Sequence, residues 1–316
     1  MKKILITGAS GFVGAAVNSR LEQAKSFLIL RTTRLDSGSD KLPIDFSVEF
    51  NVETELVDVE AIIHCAAHVH LMNDKADDPL QAYRQVNTSG TLQLAQQAAN
   101  AGVKRFIFIS TIKVNGESTE PGFPFKPDDD FVPVDPYGLS KYEAEVGLRK
   151  LAEQTGMEVV IIRPPLVYGP GVKANFTSMM KWVNKGFPLP LGGIKNNKRS
   201  LVAVDNLVDL IITCIKHPNA ANQTFLVSDD DDTSTSQLLS RMATALDAPN
   251  RLLSIPSSWL SLAATLFGKP AIAQRLCGSL QVDISKTKEL LDWQPPYSAA
   301  ASMKKTALYF LESNHK

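Results

Sequence analysis

The chain begins with a short apolar run that leads directly into a glycine-rich turn. Residues 4–6 (Ile-Leu-Ile) have the composition of a strand, and Gly8, Gly11 and Gly14 follow before a helical pattern starts. Glycines at this spacing permit a tight turn, a close approach of the backbone to a ligand and close packing of helix on strand. Because the first turn of a helix carries unpaired N–H groups, the pattern predicts a site for the pyrophosphate of a dinucleotide. The predicted cofactor-binding residues of this turn are Gly8, Ser10, Gly11, Phe12, Val13 and Gly14.

Apolar runs alternate with helical patterns through the first half of the chain. The runs are rich in Ile, Val and Phe and lack a regular alternation with polar residues, which is typical of strands buried on both faces of a parallel sheet. Two helices are predicted to start at Asp78-Pro79 and Asp135-Pro136, because an acidic cap before proline is a helix-start signal. The predicted strands are 4–6, 27–30, 61–65, 105–110 and 159–163. We therefore predict an α/β fold with a doubly wound parallel sheet of the Rossmann type.

The alternation of apolar runs and helical patterns changes after Tyr168. Proline and glycine are frequent from 164 to 193, and helical patterns then follow at 205–216, 234–246, 257–267 and 285–291, with a further strand at 225–227. We predict a dinucleotide-binding domain over 1–167, to which 199–227 returns. A smaller, mostly helical substrate region is predicted over 168–198 and 228–316.

Composition argues against several other kinds of partner. The 33 basic and 33 acidic residues balance, so an extended contact with nucleic acid is not expected. The three cysteines are far apart without a CxxC spacing, so neither a disulfide framework nor a metal site is predicted. No apolar stretch reaches the ~18 residues that span a bilayer. We expect a cytoplasmic protein without membrane insertion.

The residues after the second predicted strand bear on the choice of cofactor. A protein specific for NAD usually has an acidic residue there, to bind the ribose 2′-hydroxyl. This sequence has Arg31 and Arg34, and a guanidinium can bind a 2′-phosphate, so NADP is predicted, with NAD as the alternative. Asp36 is a rival ribose ligand if the strand is longer. Both arginines could also be ordinary surface residues.

Three side chains suit proton and hydride chemistry. Tyr137 and Lys141 are four residues apart at the start of a predicted helix and therefore share a face. A nearby ammonium lowers the pKa of a phenol, which makes tyrosine a better acid and base. Thr111 follows the strand at 105–110, at the edge where ligands of open α/β sheets bind. Its hydroxyl could hold a substrate oxygen, or it could cap a turn.

Together, these residues resemble those of the extended short-chain dehydrogenases/reductases, in the branch of nucleotide-sugar epimerases and dehydratases. The resemblance covers nearly the whole chain. The motifs that carry it are Thr7-Gly8-Ala9-Ser10-Gly11-Phe12-Val13-Gly14, His64-Cys65-Ala66-Ala67, Asn87-Thr88-Ser89-Gly90-Thr91, Ser110-Thr111, Tyr137-Gly138-Leu139-Ser140-Lys141, Arg163-Pro164-Pro165-Leu166-Val167-Tyr168-Gly169-Pro170-Gly171, Val204-Asp205-Asn206-Leu207 and Asp283-Ile284-Ser285-Lys286.

The resemblance implies roles for residues that composition and spacing leave open. Tyr137 would be the catalytic acid and base, Lys141 its partner and a ribose ligand, and Thr111 the hydroxyl that orients the reacting oxygen. Further cofactor contacts are implied for Ala66, Ala67, Asn87 and Pro164. The implied substrate contacts, to a UDP-sugar, are Lys113, Asn175, Leu191, Arg199 and Arg275. A homodimer is expected, with 83–98 and 142–151 as the candidate surfaces.

The run from Ser110 to Glu117 resembles that of reductases acting on UDP-4-keto-6-deoxy-N-acetylhexosamines, which form UDP-N-acetylquinovosamine. We therefore expect a 4-keto reductase in which Tyr137 protonates the new alkoxide. The alternative is a UDP-hexose 4-epimerase with retained NAD. A dehydratase would need a carboxylate where Ile112-Lys113 follow Thr111, and a non-catalytic dinucleotide-binding scaffold would not need the Tyr137–Lys141 pair.

Overall fold

The computed structural model describes residues 1–34, 38–69, 78–120, 122–266, 268 and 270–314. Its centre is a seven-stranded sheet in the order β3-β2-β1-β4-β5-β6-β9, with all neighbouring strands parallel. The strands are β1 (Lys3–Thr7), β2 (Leu28–Thr33), β3 (Lys41–Pro43), β4 (Val59–His64), β5 (Arg105–Ile109), β6 (Glu158–Arg163) and β9 (Thr224–Leu226). The strand order reverses between β1 and β4, which creates a crevice at the carboxyl ends of these strands. The predicted fold class is confirmed.

Helices cover both faces of the sheet. Those of the described chain are α1 (Phe12–Ala24), α2 (Pro79–Tyr83), α3 (Thr91–Asn100), α4 (Pro136–Thr155), α5 (Ala174–Asn184), α6 (Val204–Lys216), α7 (Thr235–Ala245), α8 (Ser257–Leu266), α9 (Pro270–Cys277), α10 (Ser285–Leu291) and α11 (Ala299–Asn314). A π-helical segment, Arg84–Gly90, joins α2 to α3. Among these residues, no helix is both long and apolar enough to cross a membrane.

The two faces of β1 belong to two different cores. Ile4 and Ile6 pack with residues of α1 and α6, whereas Leu5 packs with residues of α3 and α4 on the opposite face. All three side chains are fully buried. This placement explains why the apolar runs lack alternation, since a strand covered on both faces needs apolar residues at every position.

The predicted helix starts are confirmed by their caps. The Asp78 carboxylate accepts a hydrogen bond from the Gln81 N–H at 3.1 Å, and that of Asp135 accepts one from the Gly138 N–H at 2.8 Å. In both helices proline occupies the first turn, where no N–H is needed. The helix α4 ends at Gly156 in the left-handed conformation, with φ of 75°.

Two features of the sheet differ from the prediction. The strand β2 continues to Thr33, because its last three residues pair with the edge strand β3. The strands β7 (Leu166–Tyr168) and β8 (Leu201–Ala203) form a separate parallel pair. Strands of three residues are too short to show a periodic pattern, and their formation depends on the partner strand.

A third core lies beside the sheet, in the later part of the chain. It joins α5, α7 and α11 through buried residues that include Phe176, Met242 and Phe310. The predicted helix at 257–267 is observed as α8, and Phe267 lies outside the described residues. The division of the chain into the two predicted regions remains a prediction.

Candidate active site

The glycine-rich turn opens the crevice between β1 and α1. The Gly11 N–H donates to the Gly8 carbonyl at 2.9 Å, and α1 starts immediately afterwards. A Cβ on Gly8 would lie 2.8 Å from the Ala66 nitrogen, and one on Gly14 would lie 2.2 Å from the Gly8 oxygen. Gly8 also has φ of 65°, which L side chains rarely adopt. Only glycine fits either position without a shift of the backbone.

The start of α1 fits the phosphates of a dinucleotide. Gly11, which has no side chain, stands at the N-cap, so no cap hydrogen bond covers the first N–H groups among the described residues. Ser10 and Gly11 are exposed, and Phe12 and Val13 are half-buried against the core. An open helix N-terminus attracts an anion through its N–H groups and its dipole.

A buried histidine fixes the loop that faces this turn. His64, at the end of β4, contacts Thr7 through Nδ1 at 2.9 Å and Thr91 through Nε2 at 3.0 Å. The Ala66 N–H donates to the Thr7 hydroxyl at 3.0 Å, so the same hydroxyl contacts both the histidine ring and the loop after β4. Burial and the charge of Lys141 lower the pKa of His64, which keeps the ring neutral. The half-buried Ala66 is thereby held beside Gly8, and the half-buried Ala67 follows it in the chain.

The structure changes the interpretation of Arg31. This residue lies within β2 rather than after it, because β2 is longer than predicted. Its guanidinium pairs with Glu22 and Asp40, and Nε donates to the Asn18 amide oxygen at 2.6 Å. These partners compete with a 2′-phosphate, so the argument for NADP from Arg31 is weakened. Arg34 is exposed beyond the strand, and Asp36 lies outside the described residues.

Thr111 lies just beyond the carboxyl end of β5. Its hydroxyl accepts a hydrogen bond from the Lys113 N–H at 3.4 Å and so caps the short turn at Ile112–Val114. The hydroxyl proton remains able to donate to a substrate oxygen. The Pro164 carbonyl accepts from the Ile112 N–H at 3.0 Å, which ties this turn to the end of β6.

Lys141 is almost completely buried under the same strand edge. Its ammonium donates to the Ile109 carbonyl at 2.9 Å and lies 4.3 Å from the centre of the Phe108 ring. Burial lowers the pKa of Lys141 to about 8, although the charge of Glu145 opposes that shift. The ammonium is therefore a cation held in place by the protein at the carboxyl end of β5.

Tyr137 is half-buried in the first turn of α4. Its ring meets that of Tyr83 edge-on with centroids 5.8 Å apart, and Tyr83 in turn contacts His68 at 5.2 Å. Burial raises the pKa of Tyr137, and the neighbouring Asp135 and Tyr83 raise it further. Without a ligand the phenol is thus fully protonated at neutral pH.

Asn87 connects the π-helical segment to α4 and to the loop after β4. Its amide oxygen accepts from the His68 N–H at 2.7 Å, while its nitrogen donates to the His68 carbonyl and the Ser140 hydroxyl. Ser140 also donates to the Tyr137 carbonyl at 2.8 Å. Asn87 therefore supports the first turn of α4, which carries Tyr137, through Ser140.

A buried ion pair behind Thr111 was not among the predicted site residues. Arg163, at the end of β6, makes two hydrogen bonds to Glu145, and the Ser110 hydroxyl donates to the same carboxylate at 2.6 Å. Arg163 also donates to the Asn115 amide oxygen at 2.9 Å. The signal that could have revealed it is the position of Glu145, one helical turn after Lys141 on the inner face of α4.

Two of the predicted substrate residues, Arg199 and Arg275, come together. The Arg199 guanidinium donates to the backbone carbonyls of Arg275 and Gly278, at 2.8 and 3.0 Å. Burial lowers the pKa of Arg199, while the side chain of Arg275 is exposed. Asn175 is exposed in the first turn of α5. Leu191 is half-buried and packs against the third core.

Comparison with known proteins agrees with this geometry. The model of the NAD dependent epimerase/dehydratase family matches residues 4–228. The chain belongs to this family. A UDP-glucose 4-epimerase of Vibrio cholerae is 51% identical over 319 residues, which cover 100% of this chain and 97% of that protein.

Solved structures of the family share the fold. A UDP-glucose 4-epimerase of Thermotoga maritima, solved with UDP-glucose, superposes with a TM-score of 0.79 at 23% identity, over 99% of both chains. A UDP-glucuronic acid 4-epimerase of Bacillus cereus in complex with NAD gives a TM-score of 0.78 at 20% identity, over 98% of this chain and 97% of that one. The protein is therefore an enzyme of a family that acts on nucleotide sugars.

Proposed function

We propose that this protein is a UDP-hexose 4-epimerase that retains NAD. The observation that carries the proposal is the 51% identity to the Vibrio cholerae UDP-glucose 4-epimerase along essentially the full length of both chains. The chain also has a hydroxyl, a phenol and a buried ammonium, from Thr111, Tyr137 and Lys141, in the elements around the end of β5. This epimerase activity replaces the 4-keto reductase as the leading hypothesis.

Each residue of the candidate site has a separate role in the proposed reaction. NAD, when bound at the glycine-rich turn, supplies the acceptor and donor of hydride. Tyr137 takes the proton from the 4-hydroxyl of the sugar and returns it, while Thr111 donates a hydrogen bond to the same oxygen. The positive charge of Lys141 favours the phenolate and opposes the effect of burial on Tyr137. Arg199 and Arg275 are proposed to bind the diphosphate.

NAD rather than NADP follows from the contacts of Arg31. A 2′-phosphate would have to displace Glu22 or Asp40 from a guanidinium that both already contact. Bringing a dianion next to these carboxylates is unfavourable unless the pairs separate. The ribose 2′-hydroxyl of NAD carries no charge and does not require this change.

The second candidate is the 4-keto reductase of UDP-4-keto-6-deoxy-N-acetylhexosamines. The run from Ser110 to Glu117 favours it, since Lys113 and Asn115 stand where 4-epimerases usually have Thr and Tyr. A dehydratase is not favoured, because Lys113 provides an ammonium rather than an acid–base carboxylate.

One experiment separates the two. Purified protein is incubated with UDP-galactose and no added cofactor, and UDP-glucose formation is followed by NMR. In parallel, NADH or NADPH oxidation is followed with UDP-4-keto-6-deoxy-N-acetylglucosamine. The epimerase proposal expects conversion of UDP-galactose, and release of NAD when the protein is denatured. Loss of reduced cofactor with the keto-sugar, without conversion of UDP-galactose, would establish the reductase instead.

The Tyr137→Phe variant tests the assigned chemistry. Removal of the hydroxyl should lower kcat about 10²–10⁴-fold, the usual contribution of a general acid–base group. The amount of bound NAD should stay unchanged. Turnover near that of the unmodified protein would contradict the role of Tyr137 in either candidate reaction.

We also propose a homodimer through α3 and α4, in the cytoplasm. The two helices pack closely within the chain, as shown at Gly147, where a Cβ would lie 2.6 Å from the Leu92 side chain. Val146 of α4 is 46% exposed in this chain and would be covered in such a dimer. Sedimentation of the purified protein tests this, and a monomer at micromolar concentration would contradict it.

A further inference from the structure

An ion pair lies at the start of the helix that carries the candidate catalytic tyrosine. The Lys113 ammonium is 3.0 Å from the Asp135 carboxylate, and Asp135 is two residues before Tyr137. Lys113 also packs against the start of α4, since a Cβ on Gly138 would lie 3.3 Å from the Lys113 Cβ. The ammonium therefore sits at the first turn of α4, next to the residue that must gain and lose a proton.

Asp135 has two opposing effects on the site. Its carboxylate caps α4 through the Gly138 N–H, and a cap of this kind stabilises the helix start. The same negative charge disfavours phenolate formation at Tyr137. Asp135 therefore stabilises the start of α4 as a cap, but its negative charge hinders the proposed proton transfer by Tyr137.

The other polar and charged groups around Tyr137 do not remove this conflict. Tyr83 on α2 faces the Tyr137 ring and raises its pKa as well. Lys141, on α4, donates its ammonium to the Ile109 carbonyl, and the pKa of Tyr137 is raised although this cation lies on the same helix. Among the described residues, Lys113 is the cation that pairs with the Asp135 carboxylate.

We propose that Lys113 is a positioning residue that neutralises the cap carboxylate, so that α4 keeps its cap while Tyr137 can release its proton. Lys113 thus acts through Asp135 and not on the substrate, which differs from the substrate contact predicted for it. Glu117 holds the same ammonium from the other side at 3.3 Å. The inference rests on proton transfer by Tyr137, which both candidate functions share.

Three variants test this inference: Lys113→Met, Asp135→Asn and the double variant. Asparagine caps a helix about as well as aspartate, so Asp135→Asn should fold with α4 intact. The pH profile of kcat is measured for each, with whichever sugar nucleotide the unmodified protein converts. The control is Lys304→Met, which removes an exposed lysine of α11.

The expected shifts have opposite signs. Lys113→Met leaves Asp135 uncompensated, so the rise of activity with pH should move to higher pH, by about one unit, and kcat at neutral pH should fall about tenfold. Asp135→Asn should move the rise to lower pH. The double variant should return to within about twofold of the unmodified protein, and Lys304→Met should leave the profile in place.

Two outcomes overturn the inference. An unmoved profile in Lys113→Met means that the ion pair does not act on Tyr137. A loss that appears in KM and persists in the double variant means that Lys113 contacts the substrate. Failure of the proposed function is distinguishable, because the unmodified protein would then leave UDP-galactose unconverted or Tyr137→Phe would remain active.

A readout without turnover completes the test. The near-ultraviolet absorbance of phenolate is titrated in the cofactor-bound protein, and the signal of Tyr137 is the difference from the Tyr137→Phe variant. In Lys113→Met this difference should appear at higher pH than in the unmodified protein. Titration at the same pH in both proteins would contradict the inference whatever the substrate is.

Discussion

The two sides of the candidate site are built in different ways. On the proposed cofactor side, Lys141 is 1% exposed, and its ammonium is fixed by a backbone carbonyl of the central sheet. On the proposed sugar side, Arg275 of α9 is exposed, and the Arg199 guanidinium donates to its backbone carbonyl. The first side is preorganised by burial, which costs stability, whereas the second combines a partly buried arginine with an exposed one.

From this difference we predict that the buried ammonium of Lys141 lowers the stability of the fold while it supports activity. Burial lowers the pKa of Lys141 to about 8, so between that pH and its unfolded value of about 10.5 the unfolded chain binds more protons. Stability due to this residue should therefore rise with pH across that window. Below it, the buried charge costs about 3 kcal/mol.

The Lys141→Met variant should show both effects, a loss of activity and a gain of stability. We expect kcat to fall about 10²-fold or more, while the free energy of unfolding at pH 7 increases by a few kcal/mol. Urea unfolding at neutral and alkaline pH measures the second effect, which should disappear as pH passes about 10. If the variant is less stable than the unmodified protein at pH 7, the prediction is wrong, because the buried ammonium then stabilises the fold.

The glycine turn should tolerate no added side chain at Gly14. The new Cβ of Gly14→Ala would meet the Gly8 carbonyl at 2.2 Å, and a backbone atom cannot move aside as a flexible side chain can. We expect a loss of about 1–3 kcal/mol of stability and of retained NAD. Gly38→Ala, whose Cβ would have its nearest neighbour at 3.7 Å, is the control. Full NAD content in Gly14→Ala would contradict the assigned turn.

On the sugar side, the effect should be on substrate affinity alone. Arg275→Met removes an exposed charge, so the melting temperature should stay the same. KM for the UDP-sugar should rise about tenfold or more, as expected for a charge-assisted hydrogen bond. The exposed Arg251 provides a matched control, Arg251→Met. If KM is unchanged in Arg275→Met, the residue does not bind the diphosphate.

The smallest effect is expected at Arg31. Its carboxylate partners are half exposed, so Arg31→Met should cost less than about 1 kcal/mol. NAD content after denaturation should be unchanged. A selective loss of NADP binding in this variant would instead show that the guanidinium reads the 2′-phosphate.

Much of the cofactor side could be predicted from local sequence. The Gly8–Gly14 spacing and the caps at Asp78 and Asp135 depend on neighbours within a few residues, and such patterns are visible in one chain. The extension of β2 could not be predicted, because it depends on pairing with β3 across a loop. That pairing and the carboxylates around Arg31 changed the expected cofactor from NADP to NAD.

The sequence by itself determined the doubly wound sheet, the glycine turn, and the tyrosine and lysine on one face of α4, since each follows from local spacing or from apolar runs buried on both sides. The tertiary structure decided which charges meet. Arg31 with Glu22 and Asp40, Arg163 with Glu145, and Lys113 with Asp135 are brought together by the crossing of separate elements. Electrostatic effects depend on the distance between charges and on their burial, and both are set by the tertiary structure and not by the order of residues along the chain.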